Sequence, residues 1–302
     1  MPQTIGLVVL AGLISAGLFL ALLTGLPGMV LLAYLVQLPL MFIGLTMGLT
    51  GSVVAMVVAV LVIGVIAGAV AAVIYAMVQG LPALVVVRQA LLNRQTGAGV
   101  EWYPPGLLLA QLTVVAALGI AAAFFLFLGE PGGLHGAIEG FLTTALSDLG
   151  ALDVEAGVPP ELARWVFLFP GLMASSWLIM VVINAVLAQA MAVRVGWNRR
   201  PTPDFAALEL PAWLWPAVAA AVVLALLGEG LGFLGSSMLI VLTVPYVFLG
   251  LAVIHALTRR WARPGLARLA IYGTIALLGW PILGVLLLGL VEDWAHLRRR
   301  FV

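Results

Sequence analysis

An all-α, polytopic bundle of transmembrane helices is the fold that this sequence predicts, and three observations support it. Hydrophobic residues make up 64% of the 302-residue chain, and charged residues make up only 8%. A soluble domain carries about 25% charged residues, because its surface faces water. The first charged side chain is Arg88, and no soluble domain of ordinary size has a core that could bury so long an apolar run. Most of the surface is therefore expected to face lipid.

About eight or nine hydrophobic segments follow one another along the chain. A helix needs about 20 apolar residues to cross about 30 Å of hydrocarbon. The apolar segments are residues 5–23, 29–49, 51–87, 106–128, 167–193, 211–228, 234–257 and 269–291. The first segment has no basic residue before it and is long enough to span, so we expect an uncleaved membrane helix.

Segment 51–87 is too long for one crossing, since a helix of this length would reach about 55 Å. Either the chain folds back near residues 64–68, or one span is followed by an interfacial helix after residues 79–82. We expect two short passes.

Segment 269–291 raises a similar question. If this segment crossed the membrane once, the arginines at residues 298–300 would lie outside the cell. A break at Gly279-Trp280-Pro281 would instead make it a re-entrant hairpin and return the tail to the cytoplasm. We predict the break.

The distribution of arginine predicts the orientation in a bacterial inner membrane. Arginines concentrate in the connections 88–105, 194–210 and 258–268, whereas segment 129–163 carries acidic residues. Basic connections face the cytoplasm, so segment 129–163 is expected outside. Within it, residues 134–150 predict an amphipathic helix. Its expected apolar face comprises Leu134, Ile138, Phe141, Leu142, Ala145 and Leu149.

This topology can be tested by labelling, because the natural chain contains no cysteine. Cysteines introduced at positions 150 and 198 are expected to react with an impermeant reagent from opposite sides of the membrane. Equal labelling from outside would contradict the orientation.

The predicted organisation has two parts. Residues 1–195 are expected to form an N-terminal membrane bundle that includes the acidic segment. Residues 196–302 add two or three membrane segments joined by arginine-rich connections, and both parts are expected to form one continuous membrane domain.

Nothing in the sequence predicts an enzyme, a cofactor or a metal site. Cysteine is absent, and the three histidines are dispersed without a ligand motif. No serine nucleophile motif or mid-membrane carboxylate pair is present. The net charge of +1 predicts no nucleic-acid partner.

Polar side chains inside the apolar segments are the candidate functional residues, because they are costly there and face a partner or a cavity. The candidates for binding a small molecule are Gln37, Ser176, Trp177, Asn184 and Gln189. Hydrogen bonding between helices is the more common role of such side chains, and ligand contact is the alternative.

Six motifs together carry a family resemblance. They are Glu101-Trp102-Tyr103-Pro104-Pro105-Gly106, Leu168-Phe169-Pro170-Gly171, Arg200-Pro201-Thr202-Pro203-Asp204-Phe205, Glu209-Leu210-Pro211-Ala212-Trp213-Leu214, Val253-Ile254-His255 and Glu292-Asp293-Trp294. The pattern resembles the YybS-like family of bacterial membrane proteins over nearly the whole chain. That family is similar, in its first six or so spans, to the S components of energy-coupling factor (ECF) vitamin transporters.

The resemblance implies a subunit that binds a small molecule and docks through small residues onto a transmembrane subunit and its ATPases. Ala11, Gly12, Ser15 and Ala16 are then the expected docking residues. The chain departs from the S-component pattern by about three additional segments, and it has no recognisable vitamin-contact motif. It also lacks a Walker A motif, so ATP-driven transport would require partner subunits.

Two functions therefore remain open. One is a small-molecule-binding, S-component-like transporter subunit, and the other is a non-catalytic scaffold or assembly factor for envelope proteins. A core filled by its own side chains favours the scaffold, and a polar cavity favours binding.

Overall fold

The structure, a computed structural model, describes residues 2–26, 28–97, 99–148, 160–259 and 261–301. Helices dominate this part of the chain, and the predicted all-α fold class is confirmed. Five helical stretches within it are long and apolar enough to cross a membrane: Thr4–Leu22, Leu49–Leu91, Pro105–Leu126, Arg164–Arg194 and Gly230–Thr258. Position 150, chosen for labelling, lies outside the described residues.

The chain forms two compact units. Unit 1 comprises Met1–Leu108 and Ile179–Pro203, and unit 2 comprises Leu109–Leu178 and Asp204–Val302. The helices Pro105–Leu126 and Pro160–Arg194 each contribute residues to both units, and the expected division at residue 195 stays a prediction.

The elements are these. Along the first part of the chain lie α1 (Pro2–Leu22), α2 (Met29–Ala33), α3 (Leu38–Met47), α4 (Leu49–Tyr75), a π-helical turn (Ala76–Gly80), α5 (Leu81–Leu91), β1 (Asn93–Thr96), β2 (Gly99–Trp102) and α6 (Pro105–Leu126). The rest are α7 (Gly133–Asp148), α8 (Pro160–Arg194), a 3₁₀ turn (Phe205–Ala207), α9 (Leu214–Ala225), α10 (Glu229–Thr258), α11 (Pro264–Leu278), α12 (Pro281–Ala295) and α13 (Leu297–Phe301).

The long apolar segment of unit 1 doubles back at Gly68, which has a φ of 87° inside α4. Glycine adopts this conformation without the steric cost that a side chain would incur. Pairs of residues equally distant from Gly68 meet across the fold. A Cβ on Gly64 would lie 3.7 Å from the Ala72 Cβ, and one on Gly80 would lie 2.7 Å from the Met56 sulfur. The expected fold-back is confirmed.

The predicted second span, residues 29–49, is wrong as a continuous helix. α2 ends at Ala33 and α3 begins at Leu38, with a turn between them. Pro39 lies in the first turn of α3. It has no N–H group to bond the Leu35 carbonyl four residues earlier, and the Leu38 amide bonds that carbonyl at 3.1 Å instead.

The basic connections of unit 1 lie at one end of it, as the arginine distribution predicted. Arg199 donates to the carbonyls of Thr46 and Met47. Arg200 donates to the Ala90 carbonyl at 2.9 Å, and its guanidinium lies 5.6 Å from the centre of the Trp102 ring. Burial lowers the pKa of Arg200.

Unit 2 is organised around α10. Residues of α9 and α10 form a buried cluster that includes Leu214, Leu242 and Tyr246. α12 crosses α10 where Gly289 of α12 meets Gly250 of α10. A Cβ on Gly289 would lie 1.8 Å from the Tyr246 carbonyl oxygen. With 12 residues, α9 is about 18 Å long, which is shorter than the span predicted for residues 211–228.

The C-terminal apolar segment is broken, as predicted. α11 ends before Gly279, whose φ is 69°, and α12 begins at Pro281. Arg298, beyond α12, then donates to the Ala206 and Leu208 carbonyls. The same connection contains Asp204, which pairs with Arg259 at the end of α10, and this pairing lowers the pKa of Asp204. The tail and these two residues therefore lie at one end of unit 2.

The helix predicted for the acidic segment is present as α7, but its faces are mixed. Leu134 is buried, as expected, whereas Phe141 is 62% exposed. His135, which is not one of the residues of the expected apolar face, packs edge-on against the Phe233 ring.

Candidate functional site

The break between α2 and α3 is surrounded by polar side chains from three other parts of unit 1. The polar centre comprises Gln37 of the break itself, then Ser15, Tyr75 and Asn184, which are linked to the break by hydrogen bonds. It also includes Gln79, the neighbour of Val78 on the π-helical turn, and Gln37 bonds the carbonyl of Val78. All five are buried. Backbone that leaves the helix inside a membrane must find other hydrogen-bond partners, because lipid supplies none.

Asn184 supplies one such partner to the break. Its side-chain amide nitrogen donates to the Tyr34 carbonyl at 2.5 Å and to the Met180 carbonyl of its own helix at 2.8 Å. Asn184 is fully buried. The prediction that this side chain faces protein and not lipid is confirmed.

Gln37 acts in the same way on the π-helical turn. Pro82, at the start of α5, lacks the N–H group that would bond the Val78 carbonyl four residues earlier. The Gln37 amide nitrogen donates to that carbonyl at 3.4 Å. The amide of Gln37 thus replaces the N–H donor that Pro82 cannot supply to this carbonyl.

A hydroxyl pair completes the centre. The Ser15 hydroxyl donates to the Val36 carbonyl at 2.6 Å and lies 2.6 Å from the Tyr75 hydroxyl. Because Ser15 uses its hydrogen on Val36, Tyr75 is the donor in the second bond. The Tyr75 ring also packs edge-on against Phe19.

Three oxygens of the centre have no hydrogen-bond partner within the described residues: Gln37 Oε1, Gln79 Oε1 and Asn184 Oδ1. The amide groups of Gln37 and Asn184 cannot be turned around. Their nitrogens must donate to backbone carbonyls, and a reversed amide would point oxygen at oxygen. The centre therefore presents hydrogen-bond acceptors.

The other predicted binding residues lie elsewhere. Gln189 is buried and donates to the Arg200 carbonyl at 3.1 Å, where it holds the connection after α8. Ser176 and Trp177 are half-buried in the part of α8 that belongs to unit 2. Only Gln37 and Asn184 of the predicted binding set belong to the polar centre, and a ligand role for any of the five stays a prediction.

The expected docking residues of α1 lie inside unit 1, and their docking role stays a prediction. Ala11, Gly12, Ser15 and Ala16 are all buried, and Gly12 and Ser15 contact α4 of the same unit. A Cβ on Gly12 would lie 2.4 Å from the Ala55 carbonyl oxygen. Small residues allow such close approach between helices, and here the helix that approaches belongs to the same chain.

Tyr75 and Gln79 were missed as site residues by the sequence reasoning. Both lie in the apolar run 51–87, and Gln79 was noted only as part of a turn. The signal that could have found them is Pro82, since a proline inside an apolar run predicts a freed carbonyl and hence a polar partner nearby.

These features define a polytopic α-helical membrane protein with an interrupted helix inside its first unit. The family of predicted membrane proteins DUF2232 matches residues 13–292, and the protein belongs to that family. No curated protein and no solved structure matches the chain.

Proposed function

We propose that the protein binds a small molecule at the polar centre of unit 1 and serves as a substrate-binding subunit in membrane transport. The interrupted helix carries this proposal. In many transporters, discontinuous helices border the substrate or ion site near the middle of the membrane. The break at residues 34–37 faces a π-helical turn, and such turns occur frequently at functional sites.

The unpartnered oxygens support the same proposal. A buried polar atom without a hydrogen bond is costly, and three such atoms lie in residues at least nine-tenths buried. A ligand that donates hydrogen bonds would satisfy them. The expected ligand is thus a neutral or cationic hydrogen-bond donor, and not an anion.

The likeness of the YybS-like family to ECF S components favours a transport role, with an ATP-driven mechanism supplied by partner subunits. The likeness to ECF S components rests on the sequence resemblance alone. Gly12 of α1 packs closely against α4, which favours another surface of the protein for docking of transmembrane or ATPase partners.

A specific observation favours the alternative of a non-catalytic scaffold for envelope proteins. Within the described residues, the hydrogen bonds that Gln37, Asn184 and Gln189 donate end on backbone carbonyls of the same unit. In a scaffold, the polar centre would only hold the broken helix together, as polar side chains commonly do in membranes.

Gln79→Met distinguishes the two functions. The Gln79 oxygen has no partner within the described residues, so its removal should leave stability unchanged or slightly higher. In the proposed function, the variant should lose a small molecule that copurifies with the wild type from native membranes, as measured by mass spectrometry. In a scaffold, wild type and variant should carry the same small molecules.

Two further variants complete this test, one expected to lose binding and one matched control. Asn184→Leu removes the donor to the Tyr34 carbonyl, and we expect it to abolish binding and also to lower stability by about 1 kcal/mol. Thr113→Val is the matched control, since Thr113 is a buried hydroxyl that bonds only its own helix at 2.9 Å. It should not alter the bound molecules. An unchanged ligand in both Gln79→Met and Asn184→Leu would exclude the polar centre as the binding site.

A further inference from the structure

A second candidate site lies in unit 2, at the end that holds the C-terminal tail. A cavity of about 410 Å³ opens between the 204–210 connection, the end of α10 and the end of α12. Binding sites for small molecules have volumes of about 300–1,000 Å³. The cavity is therefore large enough for a small ligand or a lipid headgroup.

The charges around the cavity are paired except for one. The ion pairs are Arg259 with Asp204, Arg298 with Glu292, and Arg299 with Glu209. The fourth carboxylate of the lining, Asp293, accepts a hydrogen bond from the Trp215 indole but has no arginine partner within the described residues. The lining thus has one more carboxylate than it has arginines, with His296 as its other titratable group, and the carboxylate without an arginine partner favours a cationic group.

One arginine at the same cavity is available to an anion. Arg299 has a side chain that is 72% exposed, and it lies 3.7 Å from an equally exposed Glu209 carboxylate. Such a pair contributes little energy and is easily replaced. Arg298, in contrast, is held by a buried carboxylate and two carbonyls. Asp293 and Arg299 together suit a zwitterion.

Tryptophans place this end of unit 2 at the level of lipid headgroups. Trp213 precedes α9, Trp261 follows α10 and Trp294 lies near the end of α12. They are 43%, 57% and 74% exposed. Exposed tryptophans at the ends of apolar helices mark the membrane–water interface. A ligand in the cavity would therefore lie beside phospholipid headgroups.

We propose that this cavity binds the phosphoethanolamine headgroup of a zwitterionic phospholipid. Asp293 binds the ammonium, oriented by the Trp215 indole, and Arg299 binds the phosphate. A primary ammonium donates hydrogen bonds to the carboxylate, and these charge-assisted bonds are stronger than neutral ones. A trimethylated headgroup has no hydrogen to donate.

The test compares lipids bound to the full-length protein by native mass spectrometry, after exchange into mixed micelles of defined lipid. Phosphatidylethanolamine should be retained about tenfold over phosphatidylglycerol and phosphatidylcholine, the difference expected from one charge-assisted hydrogen bond. Asp293→Asn should remove this preference. Asp204→Asn, which removes a carboxylate of the same lining that pairs with Arg259 and with neither proposed binding residue, should keep it.

Equal retention of the three lipids by the wild type would overturn the proposal, and this comparison does not depend on whether any variant folds. An unchanged preference in Asp293→Asn would also overturn it. If soluble phosphoethanolamine binds but the lipid does not, the zwitterion site exists without a lipid role, and the lipid proposal fails.

Discussion

Replacing Gly289 with alanine is expected to lower the free energy of unfolding by about 3 kcal/mol, the upper range for overpacking a tight core. The new Cβ would lie 1.8 Å from the Tyr246 carbonyl oxygen and 2.9 Å from the Gly250 nitrogen. Both atoms belong to the backbone of α10, so no side chain can move aside. α12 must separate from α10, and unit 2 loses its closest helix crossing.

The effect can be measured by titrating the purified protein from mild detergent into a denaturing one, with helix content followed by circular dichroism. Gly284→Ala is the matched control. Gly284 is exposed on the same helix, and a Cβ there meets nothing within 4 Å. We expect a change within about 1 kcal/mol, from helix propensity alone. Equal effects of the two alanines would show that the helices do not cross this closely.

Arg298→Ala is the second substitution with a large expected effect. Glu292, its partner at 2.7 Å, has a side chain that is only 3% exposed. Without Arg298, that carboxylate stays buried without a countercharge, and the Ala206 and Leu208 carbonyls lose their donor. Breaking one partner of a buried ion pair costs about 3–5 kcal/mol. The same unfolding titration should register this loss.

The neighbouring arginine provides the control for this prediction. Arg299 is 72% exposed and pairs at 3.7 Å, so Arg299→Ala should change stability by no more than about 1 kcal/mol. The double variant Glu292→Met with Arg298→Met should recover much of the stability that Arg298→Ala loses, because no unpaired charge stays buried. If the double variant is as unstable as the single one, the carbonyl contacts and not the ion pair dominate.

Several breaks in the helices could be predicted from the sequence, because prolines and glycines act locally. The length of segment 51–87 excluded a single crossing and favoured a fold-back over a span followed by an interfacial helix, and a glycine is the residue that permits the fold-back. The break before Pro281 followed from the same reasoning. The break after Ala33 was missed, since Pro39 lies inside an otherwise continuous apolar run and can be read equally as a kink.

The hydrogen-bond partners within the polar centre could not be predicted in this way. Amides among apolar residues predict a buried position, and Gln37 and Asn184 are buried. Their hydrogen-bond partners are carbonyls far away in the chain, 41 and 150 residues distant. No local pattern specifies which freed carbonyl an amide will meet, because that depends on how separate helices pack.

The sequence by itself determined that this is a polytopic helical membrane protein whose polar side chains turn inward. It did so because lipid excludes charge and unpaired backbone wherever they occur along the chain. Tertiary structure alone decided which surfaces meet. Gly12 of α1 could equally have allowed the close approach of a partner protein, but it packs against Ala55 of α4. Small residues specify only that two helices can come close, and the identity of the second helix depends on the fit of the whole bundle.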